Sequence, residues 1–172
     1  MENILAEGLT EIQKQILDGH LLGDGYIHKT TGNGNGRFEI ERKGEDNNYL
    51  LWSIKNFENF IYRTSLSNRG KFLKITQKFY SSCEFYTKQS PIFSEYYNKW
   101  YGSGKKKVPE DLELTPLLIA VWFCDDGHAR VRYGKFPSIR ISTDGFEKDE
   151  VELLISKLNQ RYGEMFKIGK TL

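Results

Sequence analysis

Two stretches decide the fold of this chain: ILDGHLLGDGYI at residues 16–27 and LTPLLIAVWFCDDGHA at residues 114–129. Each is an apolar segment that leads directly into an aspartate and a glycine, Asp24-Gly25 in the first and Asp126-Gly127 in the second. A unit that recurs within a chain usually forms the same supersecondary structure each time. The sequence therefore predicts an internal duplication.

Both stretches have the pattern of a helix that ends at an aspartate. Apolar residues at helical spacing predict a first helix from residue 9, ending at Asp24, with Gly25 able to adopt the left-handed cap conformation. Thr115 and Pro116 are start signals for a second, almost wholly apolar helix that ends at Asp126. Helices this apolar are expected to be central and to pack against each other.

A hairpin with one polar face is predicted after each helix. Residues 37–43 alternate between apolar and charged side chains, and residues 130–143 form a second predicted hairpin in which polar and apolar side chains also alternate. Between the first two strands, residues 32–36 are rich in glycine. This run precedes a strand and does not open a helix, which favours a flexible hairpin turn over a phosphate-binding loop.

The remaining segments complete two units of unequal length. We predict helices over residues 48–63, 92–101 and 147–162 and a single strand over residues 71–80. The order helix, Asp-Gly, hairpin, helix then occurs twice. The sequence predicts a duplicated α+β fold, with a first repeat in residues 1–110 and a second, C-terminally shortened repeat in residues 111–172.

Basic residues are segregated along the chain, although the net charge is only +2. Residues 69–78, 99–107 and 129–143 each hold four Lys or Arg and no Asp or Glu. Basic side chains interleaved with Tyr, Phe, Ser and Thr in strands suit a phosphate backbone. For any one stretch, a solvated surface is the alternative.

Composition excludes several other classes of protein. The chain has no apolar run approaching about 18 residues, and its start lacks the basic and apolar regions of a secretory signal. We therefore expect an intracellular protein without a membrane span. Cys83 and Cys124 lie far apart without metal-ligand spacing, which argues against a disulfide framework or a structural zinc.

The two helix-end aspartates predict a metal site. A carboxylate at the negative end of a helix dipole is unfavourable, and a second one nearby adds repulsion. A divalent cation removes both penalties, and oxygen ligands with room for water and phosphate select Mg²⁺. The alternative is that Asp-Gly is a common turn dipeptide, as we expect for Asp18-Gly19 and Asp144-Gly145.

GHLLGDGYI at residues 19–27 and LTPLLIAVWFCDDG at residues 114–127 resemble the two signature helices of single-chain LAGLIDADG homing endonucleases of the mitochondrial-intron type. The resemblance implies a pseudo-twofold αββαββ-type fold, with central motif helices and two antiparallel sheets that bind the major groove as a saddle. It implies cleavage of a long double-stranded DNA target by Asp24 and Asp126. These would bind Mg²⁺, or Mn²⁺ or Ca²⁺ in the same sites, beside main-chain oxygens of Gly23 and Asp125.

The resemblance also assigns further residues. Lys106 falls where this branch carries a catalytic basic residue near the scissile phosphates, although Lys105 and Lys107 leave the register open. We expect His20, inside the first helix, to be packed and hydrogen-bonded and not to bind metal. The polar strand faces are expected to read DNA through Tyr26, His28, Arg37, Glu39, Glu41, Lys43, Lys71, Lys74, Thr76, Lys78, Arg130, Arg132, Lys135, Ser138, Arg140 and Ser142.

Other functions remain open at this stage. An intron maturase or nucleic-acid-binding protein could retain the fold and bind intron RNA without cleaving DNA, and an unrelated duplicated scaffold is a third possibility. We expect a monomer that acts as a pseudo-dimer in a mitochondrion or chloroplast, or alternatively in a bacterial cytoplasm. Only residues 127–172 follow Asp126. We therefore expect a shortened form that needs a further segment, or one that nicks one strand faster.

Overall fold

The computed structural model describes residues 8–29, 34–43, 47–66, 71–73, 78–80, 82–102, 104–132 and 135–169. In chain order the elements are α1 (Glu11–Leu22), β1 (Tyr26–Lys29), β2 (Gly36–Lys43), α2 (Asn47–Asn56), β3 (Ile61–Ser65), β4 (Lys71–Leu73), β5 (Lys78–Tyr80), β6 (Ser82–Thr87), α3 (Pro91–Tyr101), α4 (Pro116–Asp126), β7 (Gly127–Arg132), β8 (Lys135–Ile141) and α5 (Lys148–Tyr162). Helices and antiparallel sheets are mixed, which confirms the predicted α+β class. No helix within these ranges is long and apolar enough to cross a membrane.

The centre of the fold is the contact between α1 and α4, as the sequence predicts. Each helix begins at a threonine cap, Thr10 or Thr115, whose hydroxyl accepts a main-chain hydrogen bond. Gly19 lies against Val121 so closely that a Cβ there would be 2.7 Å from the valine Cβ. Gly23 lies similarly against Asp125, at 2.4 Å. Two glycines on one helix thus accommodate two larger residues on the other.

A four-stranded antiparallel sheet, in the order β1-β2-β6-β3, extends from the end of α1. Its apolar face contributes Phe38, Ile40 and Phe85, all at most 1% exposed, and Phe38 contacts Phe85 edge to face. Full burial of such side chains contributes roughly 1.5–3 kcal/mol each. The predicted alternation of β2 is confirmed, because the side chains between these apolar residues lie on the other face.

Helices α2 and α3 cover the first sheet. Phe93 of α3 is fully buried and lies so close to Gly36 that a Cβ there would meet its main chain at 2.7 Å. Trp100, also fully buried, donates a hydrogen bond from Nε1 to Asp18 Oδ1 at 3.2 Å and so joins α3 to α1. The Asp18-Gly19 pair therefore lies within α1, with Asp18 facing α3 and Gly19 facing α4, and does not form the expected turn.

Two predicted elements differ from those observed. The helix expected over residues 48–63 ends at Asn56, and a 3-10 turn at Glu58–Phe60 leads into β3. Residues 61–65 form a strand because they pair with β6, and this tertiary pairing overrides the apolar spacing. The single strand expected over residues 71–80 is instead the two-stranded pair β4 and β5, and β6 was missed.

The predicted left-handed cap at Gly25 is also wrong. Helix α1 ends at Leu22 with Gly23 as its cap, and the positive-φ glycines of the described residues are Gly104 and Gly163. Gly25 is required for space, because a Cβ there would lie 2.8 Å from the Cβ of His20. The chain therefore passes directly from α1 into β1 beneath that side chain.

The second half consists of α4, the β7–β8 hairpin and α5. Glu150 of α5 is buried and accepts hydrogen bonds from the main-chain N–H of Val108, at 2.9 Å, and of Glu147, at 2.8 Å. Tyr162, near the end of α5, donates to the Leu114 carbonyl at 2.8 Å. Helix α5 thereby fixes the loop between α3 and α4.

The tight α1–α4 contact predicts a specific cost for enlarging Gly19. A Cβ there would lie 2.8 Å from the Leu118 carbonyl oxygen as well as against Val121, so α4 must shift. We expect Gly19→Ala to lower the free energy of unfolding by about 1–3 kcal/mol in urea denaturation. Gly145→Ala is the matched control, since a Cβ there meets nothing within 4 Å. Equal stability of the two variants would contradict the close contact.

Candidate active site

Asp24 and Asp126 both lie where the α1–α4 pair ends, beside the loops that lead into the sheets. Partial burial, followed by the charge of Asp125, raises the pKa of the Asp24 carboxyl. Partial burial, followed by the charges of Asp24 and Asp125, raises the pKa of Asp126 to about 6. The negative charge of Asp125 thus acts on Asp24, and the charges of Asp24 and Asp125 act on Asp126. This is the concentration of charge that the sequence predicts at the helix ends.

Lys106 lies at the same place, on the loop that α5 holds. Its Nζ donates to the carbonyl oxygens of Gly25, at 3.0 Å, and Gly23, at 3.3 Å. Burial lowers its pKa to about 8, against the raising effect of Asp126 and the neighbouring aspartates. Lys105 is instead exposed and 3.6 Å from Glu147, and Lys107 is exposed. Of these three lysines, Lys106 is the one whose ammonium group lies at the ends of α1 and α4.

Asp125 is fully buried, and a network of hydrogen bonds surrounds its side chain. Its Oδ2 lies 2.9 Å from His20 Nδ1, and its Oδ1 accepts from the Tyr49 hydroxyl at 3.0 Å. On its other side, His20 Nε2 is 3.0 Å from the Ser53 hydroxyl. His20 is fully buried, so the prediction of a packed, hydrogen-bonded histidine is confirmed.

Arg42 joins this network to Asp24. Its Nη1 donates to Asp24 Oδ2 at 2.6 Å and to Asp125 Oδ1 at 2.7 Å, while Nη2 donates to the Cys124 carbonyl at 2.9 Å. The guanidinium lies over the Tyr49 ring, 5.1 Å from its centre, and the side chain is 9% exposed. A charged group this buried needs such partners.

Sequence reasoning missed Arg42, although a signal was present. Residues 38, 40 and 42 share one face of β2, and the first two are buried phenylalanine and isoleucine. An arginine in the apolar register of a strand indicates an acidic partner beneath the sheet. The acidic partner also had a sequence signal. Asp125 occupies in the second motif the position that Gly23 occupies in the first, so an additional carboxylate is present there.

The donor set suits a hard divalent cation. Asp24 and Asp126 provide carboxylate oxygens, and partial burial together with the charge of neighbouring aspartates raises the pKa of both. Among the described residues, no group of three or more His, Cys, Asp or Glu side chains could hold a metal. An ion bound between two carboxylates would therefore complete its shell with main-chain oxygen, water or phosphate, as Mg²⁺ commonly does.

The polar face of the first sheet carries a row of side chains across four strands. Cross-strand pairing aligns Tyr26, Glu39, Tyr86 and Arg63, which lie on β1, β2, β6 and β3. Glu39 is only 6% exposed because the Tyr26 hydroxyl and Arg37 both donate to it. Arg37 also lies over the Tyr86 ring. Glu39 thus holds two neighbours in place, whereas we expected it to be exposed for DNA reading.

The other expected DNA-reading residues fall into three groups. Tyr26, His28, Arg37, Glu41, Lys43, Arg140 and Ser142 are at least partly exposed. Lys71, Lys78, Arg130, Arg132, Lys135 and Ser138 lie on described strands, but their side chains are outside the description. Lys74 and Thr76 lie outside the described residues. Arg63 and Tyr86 were missed because β3 was taken for helix and β6 was not predicted.

The raised pKa of Asp126 predicts a pH-dependent gain on removing its charge. Because the pKa rises from its ordinary 3.8 to about 6, the resulting stability is fully present below pH 3.8 and is lost as pH rises through 6. Asp126→Asn should therefore unfold with a free energy about 1 kcal/mol higher than wild type at about pH 8, allowing for solvent screening. The gain should vanish in acid. Asp144→Asn, at an exposed turn, should show no such dependence, and a destabilised Asp126→Asn at pH 8 would contradict the charge excess.

Curated relatives share sequence similarity with most of this chain but are longer than it. It is 31% identical over 173 residues to the cytochrome b mRNA maturase bI2 of Debaryomyces hansenii, an alignment that covers 93% of this chain and 62% of the relative. It is 30% identical over 161 residues to the probable intron-encoded endonuclease 1 of Wickerhamomyces canadensis, covering 90% of this chain and 67% of the relative. The chain thus spans about two thirds of these proteins.

A solved structure has the same fold. The homing endonuclease I-WcaI, bound to its DNA recognition sequence, superposes with a TM-score of 0.78 at 26% identity, over 91% of this chain and 70% of that chain. The model of the LAGLIDADG DNA endonuclease family matches residues 14–171, which include both helix-end aspartates and Lys106. Since the match spans nearly the whole sequence, this chain belongs to the LAGLIDADG DNA endonuclease family.

Proposed function

We propose that this chain is a site-specific, Mg²⁺-dependent endonuclease that hydrolyses both strands of a long double-stranded DNA target. The observation that carries this proposal is the grouping of Asp24 and Asp126 with Lys106 at the end of the α1–α4 pair. Burial, followed by the charge of neighbouring aspartates, raises the pKa of both carboxyls, and burial lowers that of the lysine. Perturbed titratable groups of opposite sign at one place are typical of catalytic sites.

The residues of the site would divide the work of phosphodiester hydrolysis. A divalent cation bound here would activate water and stabilise the leaving 3′ oxygen. Asp24 and Asp126, with the main-chain oxygens of Gly23 and Asp125, would hold that cation. Lys106, with a pKa of about 8, lies close enough to neutrality to exchange a proton with a reacting water or to neutralise a phosphate.

Recognition of the target would use the polar face of the first sheet and the β7–β8 hairpin. Arg37 and Arg63 present donors, whereas the Tyr26 hydroxyl, which donates to Glu39, presents an acceptor. Sheet register and Glu39 hold Tyr26 and Arg37 in place. Bidentate arginine contacts to guanine are a common means of base reading in the major groove. We propose a monomer that binds both halves of its target as a pseudo-dimer.

A second candidate function is intron maturation. It is favoured by the similarity to the relative named as a cytochrome b mRNA maturase, at 31% identity. Such a protein would bind intron RNA with the same basic surfaces, without need of Asp24 or Asp126. Splicing assisted by the Asp24→Asn/Asp126→Asn variant would support this activity, whereas DNA cleavage requires both carboxylates.

An intron-encoded origin would place the protein in an organelle, or alternatively in a bacterial cytoplasm.

Loss of either aspartate should abolish cleavage but not DNA binding. Asp24→Asn and Asp126→Asn each remove a metal ligand, so the loss falls on the metal-dependent transition state and DNA affinity should stay within about tenfold. The measurement is cleavage of a plasmid carrying the uninterrupted host-gene sequence, with Mg²⁺ and with chelator.

Asp144→Asn is the control for that experiment, since Asp144-Gly145 is a surface turn outside the site. It should cut at the wild-type rate. Wild-type cleavage by the variant that lacks both Asp24 and Asp126 would sink the assignment.

DNA affinity should depend steeply on salt, with a log–log slope of about 0.9 in magnitude for each phosphate contacted. Arg63→Ala and Arg140→Ala should weaken binding in gel-shift measurements. Lys148→Ala, on the exposed start of α5, should leave both affinity and slope unchanged. If Arg63→Ala and Arg140→Ala bind like Lys148→Ala at every salt concentration, the binding surface lies elsewhere.

A further inference from the structure

Asp24 already has a cation on one of its oxygens. Arg42 Nη1 lies 2.6 Å from Asp24 Oδ2, and the same nitrogen is 2.7 Å from Asp125 Oδ1. A guanidinium keeps its charge at every pH at which a protein is folded. A divalent cation that approaches this oxygen must therefore compete with a resident positive charge.

Asp126 has no arginine equivalent to Arg42: the nearby cation that lowers its pKa most is Lys106, whose ammonium group donates to the Gly23 and Gly25 carbonyls. Two residues after the first aspartate, Tyr26 pairs with Glu39, and two residues after the second, His128 pairs with Arg140. Arg42 follows Glu39 by three positions, and its equivalent after Arg140 is residue 143, a threonine. Within the described residues, the Asp126 side chain takes part in no ion pair. The duplication therefore produces two aspartates in unequal environments.

Buried contacts hold Arg42 in place. Asp125, fully buried, accepts from both Arg42 and Tyr49, and the Cys124 carbonyl accepts from the second guanidinium nitrogen. Moving the guanidinium away would leave Asp125 with an uncompensated buried charge, which is strongly unfavourable. These buried contacts therefore fix the guanidinium beside Asp24, which distinguishes this ion pair from one between two mobile surface side chains.

We propose that Arg42 is a positioning residue that acts as the internal counter-cation of Asp24, holding its carboxylate and competing with a divalent cation for it. Asp126 then receives the first cation, and Asp24 binds one more weakly until Arg42 yields. This inference rests on the proposed function. It adds a definite order of metal loading to that function, and a cause for unequal cleavage of the two strands.

The test is a titration of the full chain with Mn²⁺ in the absence of DNA. The paramagnetic resonance signal of unbound Mn²⁺ measures how much has bound. With Arg42 present, Asp126→Asn should remove the tighter Mn²⁺ binding, whereas Asp24→Asn should leave the tighter Mn²⁺ binding intact. Arg42→Gln/Asp125→Asn removes one positive and one negative charge, so the net charge of the site is unchanged. The affinity of the weaker site should rise roughly three- to tenfold, as expected for losing a charge-assisted contact to a half-exposed carboxylate.

Two further variants separate competition from structural damage. Arg37→Gln/Glu39→Gln removes a similar arginine–carboxylate pair from the same strand, on the opposite face, and should leave Mn²⁺ affinity unchanged. Arg42→Lys restores the charge and should return the affinity toward wild type. Thermal unfolding by circular dichroism verifies that each variant is folded.

Unchanged or weaker Mn²⁺ binding by a folded Arg42→Gln/Asp125→Asn protein would overturn the inference. If that protein does not fold, the test is the order of Mn²⁺ binding measured with the two single aspartate variants. Loss of the tighter Mn²⁺ binding in Asp24→Asn would then overturn the inference. If wild type cleaves the plasmid but Arg42→Gln/Asp125→Asn has unchanged Mn²⁺ affinity, this inference is refuted and the proposed nuclease function stands. Mn²⁺ loading in the expected order without cleavage of any DNA would refute the nuclease and leave the inference standing.

Discussion

The close approach of α1 to α4 is the constraint on which the rest of the structure depends. Gly19 and Gly23 leave room for Val121 and Asp125, so that the ends of the two helices meet. The candidate active site depends on this contact, because Asp24 and Asp126 each lie where the main chain leaves a helix and enters a strand. A wider separation would leave Asp24 and Asp126 as two unrelated acidic turns, without the partial burial and the neighbouring carboxylate charge that raise both pKa values.

Concentrating acid at the helix ends is unfavourable for the folded protein, and the surrounding residues offset it unequally. Asp125 is buried and depends on Arg42, His20 and Tyr49, whose hydrogen bonds join α1, α2, β2 and α4 in one network. Lys106 approaches from the other side, held by a loop that Glu150 of α5 fixes. The half-buried carboxylates that remain carry the excess charge, and a bound cation would relieve it. Stability is thus sacrificed where the proposed chemistry needs it.

The elements around the two motifs could be predicted from the sequence because their signals are local. The start signals at Thr115 and Pro116, helical spacing and the alternation of β2 predicted α1, α4, the first hairpin and α5. Strands β3 and β6 escaped because their identity depends on pairing with each other, and residues 61–65 also fit a helical pattern. The same limit applied to the site, where Lys106 could be placed within three lysines but selected only by its distance to Gly25.

Arg42 shows what a sequence pattern alone does not reveal. Its register on β2 indicates a buried charge, but its partner Asp125 is distant in sequence and becomes adjacent only through the α1–α4 contact. Glu39 is the reverse case, since its polar register predicted exposure and its neighbours Tyr26 and Arg37 cover it. Long-range partners decide both, and no local period encodes them.

The central claim is that the α1–α4 contact makes one metal-dependent site from two aspartates at a DNA-binding surface. Anomalous diffraction from crystals of the full chain grown with Mn²⁺ and a duplex of the uninterrupted host-gene sequence tests it most directly. The account predicts anomalous peaks within bonding distance of the Asp24 and Asp126 carboxylates, adjacent to a DNA phosphate. Bound DNA with Mn²⁺ only at other positions, or with the two carboxylates far from any phosphate, would contradict it.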